Sequence, residues 1–243
     1  MRKTNGKYNY NIESLTREDD LSYYLLGAFI TDGCVKVLKD YKYATITSKD
    51  EDWLKQIRDI LCPEKPIHQR KNNLRNIYIL NINNTLMCDW LIAHNCVPAK
   101  SRIVELPDIP KQYLPDFIRG CMDGDGSLGT YRCHSKSNGD HIRRNCSFAT
   151  GSKKFAEQLH SLLEGRDIKH CLYVRTKAAL NKRESKINGR KIKSNGDFYS
   201  ISFSGKGAYN FLRWLYYPRH RTSMPRKNAL AQEIIRHYNS VQV

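Results

Sequence analysis

Two aspartates, each followed by a glycine, are the residues whose type and spacing could do chemistry in this sequence. Asp32 and Asp125 lie 93 residues apart, and each closes a predicted helix, at about residues 19–31 and 112–124. A helix C-terminus carries a partial negative charge, which disfavours a carboxylate placed there. Two such carboxylates brought close together also repel each other. A divalent cation such as Mg²⁺ offsets that repulsion and can activate water for attack on a phosphodiester.

A glycine in the middle of each predicted helix indicates how the two acids are brought together. Gly27 and Gly120 are also 93 residues apart. A glycine inside a helix costs ~1 kcal/mol relative to alanine, which makes sense where another backbone approaches closely. We therefore predict that the two helices pack on each other about a pseudo-twofold axis. The glycines after the acids, Gly33 and Gly126, are predicted to end the helices in the left-handed conformation.

The elements that position these helices recur in the same order. Ile46–Leu61 resembles Phe148–Leu163 at a spacing of 102, and Val97–Lys100 resembles Met224–Lys227 at a spacing of 127. The spacing only grows, which indicates a duplicated unit with longer loops in its second copy. Each copy reads as helix, two strands, helix, two strands, helix.

These patterns predict an α+β fold of two pseudo-symmetric αββαββα repeats with curved antiparallel sheets. The predicted divisions are a basic N-terminal extension (1–14), a first repeat (15–105), a linker (106–111) and a second repeat (112–243). A last amphipathic helix is predicted at about 227–238.

The two helices ending in Asp-Gly resemble the paired LAGLIDADG motifs of single-chain homing endonucleases, over roughly residues 15–240. The resemblance implies a monomer that makes a double-strand break in a long, near-palindromic DNA site, with Mg²⁺ or another divalent cation. It implies metal binding by Asp32 and Asp125. It also implies catalytic roles for Lys100 and Lys227, because the family places a basic residue after the third helix of each repeat. The first motif departs from the family at its sixth position, where Ile30 replaces the common aspartate.

The charge supports a nucleic-acid partner. The chain has 41 Lys and Arg against 24 Asp and Glu, a net charge of +17, and the simplest partner for such a chain is a polyanion. Residues 1–110 hold 16 basic and 14 acidic side chains, whereas residues 111–243 hold 25 and 10. The second half should therefore bind its partner more tightly. The basic segment 181–194 is predicted to be either a flexible arm or the tip of a longer hairpin.

The two sheets are predicted to form a saddle that reads double-stranded DNA through the major groove. Most of the basic residues on the predicted strands should contact phosphates. The candidates are Lys36, Arg70, Lys71, Arg75, Arg132, Arg143, Arg144, Arg175 and Lys177.

Two other functions fit the same pattern. An RNA-splicing maturase of this fold would bind intron RNA, and a non-catalytic regulator would bind DNA without cutting it. Two intact acids and two lysines favour a nuclease, because binding alone does not need them.

Composition excludes other classes. A hydrophobic content of 40% is too high for a mainly disordered chain, and no apolar run approaches the ~18 residues of a membrane span. The polar N-terminus has no apolar signal core. We therefore expect an intracellular protein, cytoplasmic in bacteria, phage or archaea, or else organellar. Its eight cysteines are expected to be reduced.

Overall fold

The computed structural model describes residues 7–72, 75–135, 139–166, 168–182, 186–187, 190–191 and 194–241. The helices are α1 (Glu13–Thr16), α2 (Asp20–Thr31), α3 (Glu51–Leu61), α4 (Thr85–Ala93), α5 (Leu114–Asp125), α6 (Lys153–Leu163), α7 (Lys177–Lys182), α8 (Lys206–Leu215) and α9 (Pro225–Val241). The strands are β1 (Gly33–Val37), β2 (Lys42–Ser48), β3 (Ile67–Asn72), β4 (Arg75–Ile82), β5 (Gly126–Ser135), β6 (Gly139–Thr150), β7 (Cys171–Arg175), β8 (Lys186–Ile187), β9 (Arg190–Lys191) and β10 (Phe198–Ser204).

The first sheet is antiparallel, with strand order β1-β2-β4-β3. One face of the sheet is buried around Val35, Ile46 and Leu80 of β1, β2 and β4, which are fully buried. Helices α3 and α4 contact this buried face. Trp53 and Ile57 of α3 lie four residues apart on one helix face and are completely buried, as expected for an amphipathic helix.

The second sheet repeats this arrangement with strand order β5-β6-β10-β7. Its buried face includes Phe148 and Phe203, and α6 and α8 contact it. Ser152 caps the start of α6, because its hydroxyl accepts from the backbone N–H of Phe155. Phe203 stacks on Phe211 of α8 with ring centroids 3.8 Å apart. Each repeat is therefore a four-stranded sheet covered on one face by two helices.

The described residues form two compact units that are not simple halves of the chain. The first unit contains the residues up to Pro98, together with Pro107–Gly124 and Pro218–Asn228. The second contains Ala99–Leu106, Asp125–Tyr217 and the residues from Ala229 onward. Helix α5, which opens the second repeat in sequence, thus packs with the first repeat. The repeat boundaries predicted from sequence describe chain order and stay a prediction.

The predicted α+β fold of two αββαββα repeats is confirmed, with local differences. Arg175 and Lys177 are both predicted to lie on a strand, but β7 ends at Arg175, and Lys177 instead begins the short helix α7. The Asp197 carboxylate accepts from the backbone N–H of Lys177, and the Thr176 hydroxyl accepts from that of Ala179. Both bonds satisfy N–H groups of a first helical turn, so placing Lys177 on a strand was wrong.

The basic segment 181–194 contains a short antiparallel hairpin in its described part, with Lys186–Ile187 paired to Arg190–Lys191. This favours the hairpin interpretation over a flexible arm. Among the described helices, none is long and apolar enough to cross a bilayer.

Candidate active site and nucleic-acid interface

Helices α2 and α5 pack backbone to backbone at their glycines. A Cβ atom added to Gly27 would lie 2.1 Å from the Phe117 carbonyl oxygen and 2.9 Å from the Cys121 nitrogen. A Cβ atom added to Gly120 would lie 2.1 Å from the Tyr24 carbonyl oxygen and 2.9 Å from the Ala28 nitrogen. The two contacts are equivalent. Each glycine faces two residues of the other helix, one located three positions before that helix's glycine and one located directly after it. This reciprocity is the local pseudo-twofold symmetry that the sequence predicted.

The same packing continues to the ends of the two helices. A Cβ atom added to Gly124 would lie 2.1 Å from Thr31 Oγ1 and 3.5 Å from the backbone nitrogen of Asp32. Thr31, which precedes Asp32, thus contacts Gly124, which precedes Asp125. Asp32 caps α2 with a half-buried side chain, and the exposed Asp125 is the last residue of α5.

The predicted left-handed glycine caps are wrong. Asp32 ends α2 with φ −88° and ψ −3°. The described glycines with positive φ are Gly139, Gly165 and Gly205, so neither glycine that follows a motif acid has this conformation. Gly33 is needed for space instead, because an added Cβ would lie 2.6 Å from the Phe29 carbonyl oxygen. The chain passes from each helix directly into the first strand of a sheet.

Asp123, at the sixth motif position, anchors a buried hydrogen-bond network. Its carboxylate oxygen accepts from the Tyr24 hydroxyl at 2.8 Å and from the backbone N–H of Met224 at 2.7 Å. The Tyr24 oxygen in turn accepts from the Trp53 indole N–H at 2.7 Å. Burial, followed by the nearby charge of Asp123, raises the pKa of Tyr24 well above its ordinary value. The network ties α2, α3 and the segment before α9 to α5. Ile30 replaces this acid in the first motif and is buried.

Lys227 belongs to α9, and its ammonium lies at the C-terminal end of α5. Its ammonium donates to the carbonyl oxygens of Met122 (2.7 Å), Asp123 (2.6 Å) and Gly124 (3.0 Å). These carbonyls belong to the helix turn that precedes Asp125, where a cation is stabilised by the negative helix end. The residue is 5% exposed. Lys227 therefore fixes the conformation of the turn that carries a motif acid.

Replacing Lys227 by Met should destabilise the protein by about 3 kcal/mol, because it leaves three inward-facing carbonyls without a charged donor. Arg226→Met is the matched control. Arg226 is adjacent and cationic, but it is exposed and pairs with Asp50 at 2.9 Å, and exposed pairs contribute up to ~1 kcal/mol. Chemical denaturation of both variants measures the difference, and equal losses would contradict a capping role for Lys227.

Lys100 is buried at the start of a short 3-10 turn, Lys100–Arg102, after Ala99 in the left-handed conformation. Its carbonyl oxygen accepts from the backbone N–H groups of Ile103 and Val104. Lys100 and its repeat equivalent, Lys227, are both buried, so neither is an ordinary solvated surface lysine. Its role in catalysis stays a prediction.

The chemistry of the available donors fits a divalent cation. Carboxylate and carbonyl oxygens are the ligands that Mg²⁺ and Ca²⁺ prefer. Within the described part of the chain, no group of three His, Cys, Asp or Glu residues gathers as a metal site. Mg²⁺ sites often use one or two carboxylates and take further ligands from substrate phosphates and water. Metal binding by Asp32 and Asp125 stays a prediction.

The first sheet has an open face, opposite the buried side chains of Val35, Ile46 and Leu80. By strand register, the predicted DNA-binding residues Lys36 and Arg70 lie on it, and both are exposed. Arg75 falls on it by backbone position, while its side chain lies outside the described residues. Lys71 directly follows Arg70 on β3, and it lies on the other face of the sheet because successive strand residues point to opposite faces.

The open face of the second sheet lies opposite Cys146, Phe148, Ile201 and Phe203. Arg143 and Arg175 lie on this open face and are exposed. By strand register, Arg132 and Arg144 lie on the same face of the sheet as the buried Cys146. The Nε atom of Arg144 is itself buried. They are therefore separated from the other arginines by the sheet.

Sequence reasoning missed most of the polar and aromatic side chains on the open faces, because it considered only basic residues. Strand register, once known, identifies them. They include Tyr43, Thr45, His68 and Asn81 on the first sheet, and Tyr131, Ser147, Tyr173, Phe198 and Ser202 on the second.

Comparison with known proteins agrees with this architecture. A family model described as a LAGLIDADG-like domain matches residues 19–86. The structure of the meganuclease I-AabMI bound to uncleaved DNA matches with a TM-score of 0.53 and 13% identity, covering 90% of this chain and 91% of that chain. The homing endonuclease I-SmaMI bound to cleaved DNA matches with a TM-score of 0.53 and 12% identity, covering 90% of each chain. I-SmaMI bound to an uncleaved DNA target in the presence of calcium ions matches with a TM-score of 0.51 and 12% identity, covering 88% of this chain and 96% of that chain. No curated protein sequence matches the chain.

The whole chain therefore has the two-repeat fold of the LAGLIDADG meganucleases. Residues 19–86 of its first repeat match the model of a LAGLIDADG-like domain. The predicted resemblance to single-chain, two-motif LAGLIDADG proteins is confirmed at the level of the fold.

Proposed function

We propose that this protein is a site-specific DNA endonuclease, active as a monomer, that makes a double-strand break in a long, near-palindromic target. The reaction is hydrolysis of one phosphodiester in each strand, dependent on Mg²⁺ or another divalent cation. The motif acids, the family resemblance and the net charge of +17 are consistent with it.

One observation carries the proposal: the reciprocal packing of α2 and α5 at Gly27 and Gly120. A close backbone contact of this kind requires glycine on both helices. It joins two helices that each end in an aspartate, and each aspartate is followed by the first strand of a sheet. The helix pair thus couples two candidate acids to two candidate DNA-reading surfaces. A protein that only bound DNA would need the sheets but not the acids.

The residues divide the work as follows. Asp32 and Asp125 would hold the divalent cation, which supplies an activated water and stabilises developing charge on the phosphate. Lys227 holds the last carbonyls of α5 in place through three hydrogen bonds. Lys36, Arg70, Arg143 and Arg175 on the open faces would bind the DNA backbone.

Cleavage of DNA that spans the uninterrupted insertion site, with and without Mg²⁺, tests the proposal. When the insertion site is unknown, a random-sequence duplex library takes the place of that DNA. The duplexes that are cut are recovered by ligating an adaptor to their cleaved ends. We expect double-strand cleavage at one sequence, abolished by EDTA. Tight binding of intron RNA without DNA cleavage would favour the maturase instead, and DNA binding without cleavage would favour a regulator.

Binding to the two half-sites should be unequal. Residues 111–243 carry a net charge of +15, from 25 basic and 10 acidic residues, and each neutralised phosphate steepens the dependence of affinity on salt. Footprinting across a salt series should therefore show the half-site bound by the second repeat protected more strongly at low salt, with a steeper decline.

A matched pair of variants checks this asymmetry. Arg143→Ala with Arg175→Ala should lower the salt slope by about two, one for each lost phosphate contact. Lys36→Ala with Arg70→Ala should lower it by a similar amount, but with loss of protection in the other half-site. Equal protection of both half-sites at every salt concentration would contradict the prediction.

A further inference from the structure

Thr45 and Asn81 form a hydrogen-bonded pair in the middle of the first sheet. They are direct partners on the two central strands, β2 and β4. The Thr45 hydroxyl donates to Asn81 Oδ1 at 2.8 Å. Both side chains are half-buried on the open face, so the amide is held by the sheet and remains accessible from that face.

The pairing fixes what the amide can present to a ligand. An asparagine amide has two N–H donors and an oxygen with two lone pairs. Thr45 uses one lone pair of the oxygen, which leaves the Nδ2 donors and a second lone pair for another partner. Fixing the amide before binding also removes part of the entropy cost of ordering it in a complex.

A neighbouring cation makes this part of the open face suitable for nucleic acid. Lys36 and Tyr43 are cross-strand partners on the same face, and the Lys36 ammonium lies 5.7 Å from the centre of the Tyr43 ring. Phosphate contacts position a protein on DNA, while base contacts give specificity. Lys36 supplies the first kind of group and Asn81 the second.

The second sheet lacks this pair at the repeat-equivalent position. The spacing of 102 relates Thr45 to Ser147. Asn81 corresponds to Ser202 at a spacing of 121, at which Tyr78-x-Leu80-x-Ile82 resembles Tyr199-x-Ile201-x-Phe203. Ser147 and Ser202 are direct partners on β6 and β10, as Thr45 and Asn81 are on β2 and β4. Each serine hydroxyl can rotate to donate or to accept, so two serines do not fix a donor beside an acceptor as the oriented amide does.

We propose that Asn81, oriented by Thr45, reads one adenine in the major groove of the target, and that the repeat-equivalent Ser147–Ser202 pair makes the other half-site indifferent at the matching position. Adenine alone presents an acceptor (N7) beside a donor (the N6 amino group) in the major groove, and asparagine binds this edge through two hydrogen bonds. The target therefore departs from palindromic symmetry at this position. This inference rests on the proposed function and names part of its substrate.

Selection of bound sequences from a random duplex library, with Ca²⁺ and the whole 243-residue chain, tests the inference. The wild type should prefer adenine by about tenfold or more at one position of one half-site, as expected for a good two-bond contact. Asn81→Ala should remove that preference and leave other positions unchanged. Thr45→Val, which keeps the shape of the side chain and removes its hydroxyl, should weaken the preference at the same position.

Two further variants give positive results that a structural role would not produce. Asn81→Asp replaces the donor with an acceptor, so the preference should move from adenine to cytosine, whose N4 amino group donates. Ser147→Thr with Ser202→Asn should create an adenine preference at the matching position of the other half-site. Both outcomes support the inference.

The opposing results are equally distinct. Variants at Asn81 that alter no position, or that weaken all sequences uniformly, overturn the inference while leaving the proposed function intact. A wild-type protein that enriches no DNA sequence overturns the proposed function, and the inference with it.

Discussion

Replacing Asp32 by Asn, or Asp125 by Asn, should reduce DNA cleavage by about a thousandfold or more, which corresponds to ~4 kcal/mol of activation free energy. Each substitution keeps the size of the side chain and removes one negative oxygen, the preferred ligand of a divalent cation. Binding should persist, because the open faces of the two sheets are unchanged. The measurements are the single-turnover cleavage rate and the dissociation constant for the same DNA. Cleavage by both variants at the wild-type rate would remove the motif acids from the mechanism.

Asp123→Asn is the matched control for the loss of a carboxylate. Asp123 belongs to the same motif as Asp125, but one oxygen of its buried carboxylate accepts from both Tyr24 and Met224. The amide oxygen of asparagine can accept these two bonds, so we expect a change in thermal stability and a cleavage rate within about tenfold of wild type. A complete loss of cleavage without loss of stability would place Asp123 in the catalytic machinery.

The fold could be predicted from the sequence because duplication shows each pattern twice. The αββαββα order, the helix pair and its two glycines all follow from residue types that recur at related spacings. The helix α7 and the hairpin β8–β9 occur in the second copy, where the longer loops have no counterpart in the first. Local contacts such as that between Asp197 and Lys177 decide these segments, and no periodicity reveals such contacts in advance.

The two motif acids of the candidate site could be predicted from the sequence, but the contacts of the residues around them could not. The position of Lys227 near the end of α5 follows from the repeat, but its three carbonyl partners depend on how a distant segment packs. Which basic side chains share an open face depends on strand register, since a shift of one residue moves a side chain to the other face. For this reason Arg143 and Arg175 share a face, whereas Arg144, beside Arg143 in sequence, does not.

Replacing Gly27 or Gly120 by Ala should destabilise the first unit by about 3 kcal/mol or more, the upper end of the usual cost of overpacking a core. The added methyl group would lie 2.1 Å from a backbone carbonyl oxygen of the facing helix, and backbone cannot move aside as a flexible side chain can. Helix propensity acts in the opposite direction, since alanine is favoured over glycine by ~1 kcal/mol in an exposed helix. The sign of the change therefore decides between close packing and an incidental glycine. Thermal or chemical unfolding measures it, with the exposed Ser161→Ala in α6 as a control for propensity alone.

The symmetry of the contact makes a stricter test possible. The distances at Gly27 and Gly120 are the same, at 2.1 and 2.9 Å, so the two single variants should lose similar stability. The double variant should lose less than the sum, because the separation of the helices forced by one methyl group also makes room for the other, and contacting sites are not additive. Either single variant should also lose cleavage, since helices that separate carry the residues before Asp32 and Asp125 apart. A stabilising effect of either alanine, or full additivity in the double variant, would contradict the backbone-to-backbone packing from which the proposed function is argued.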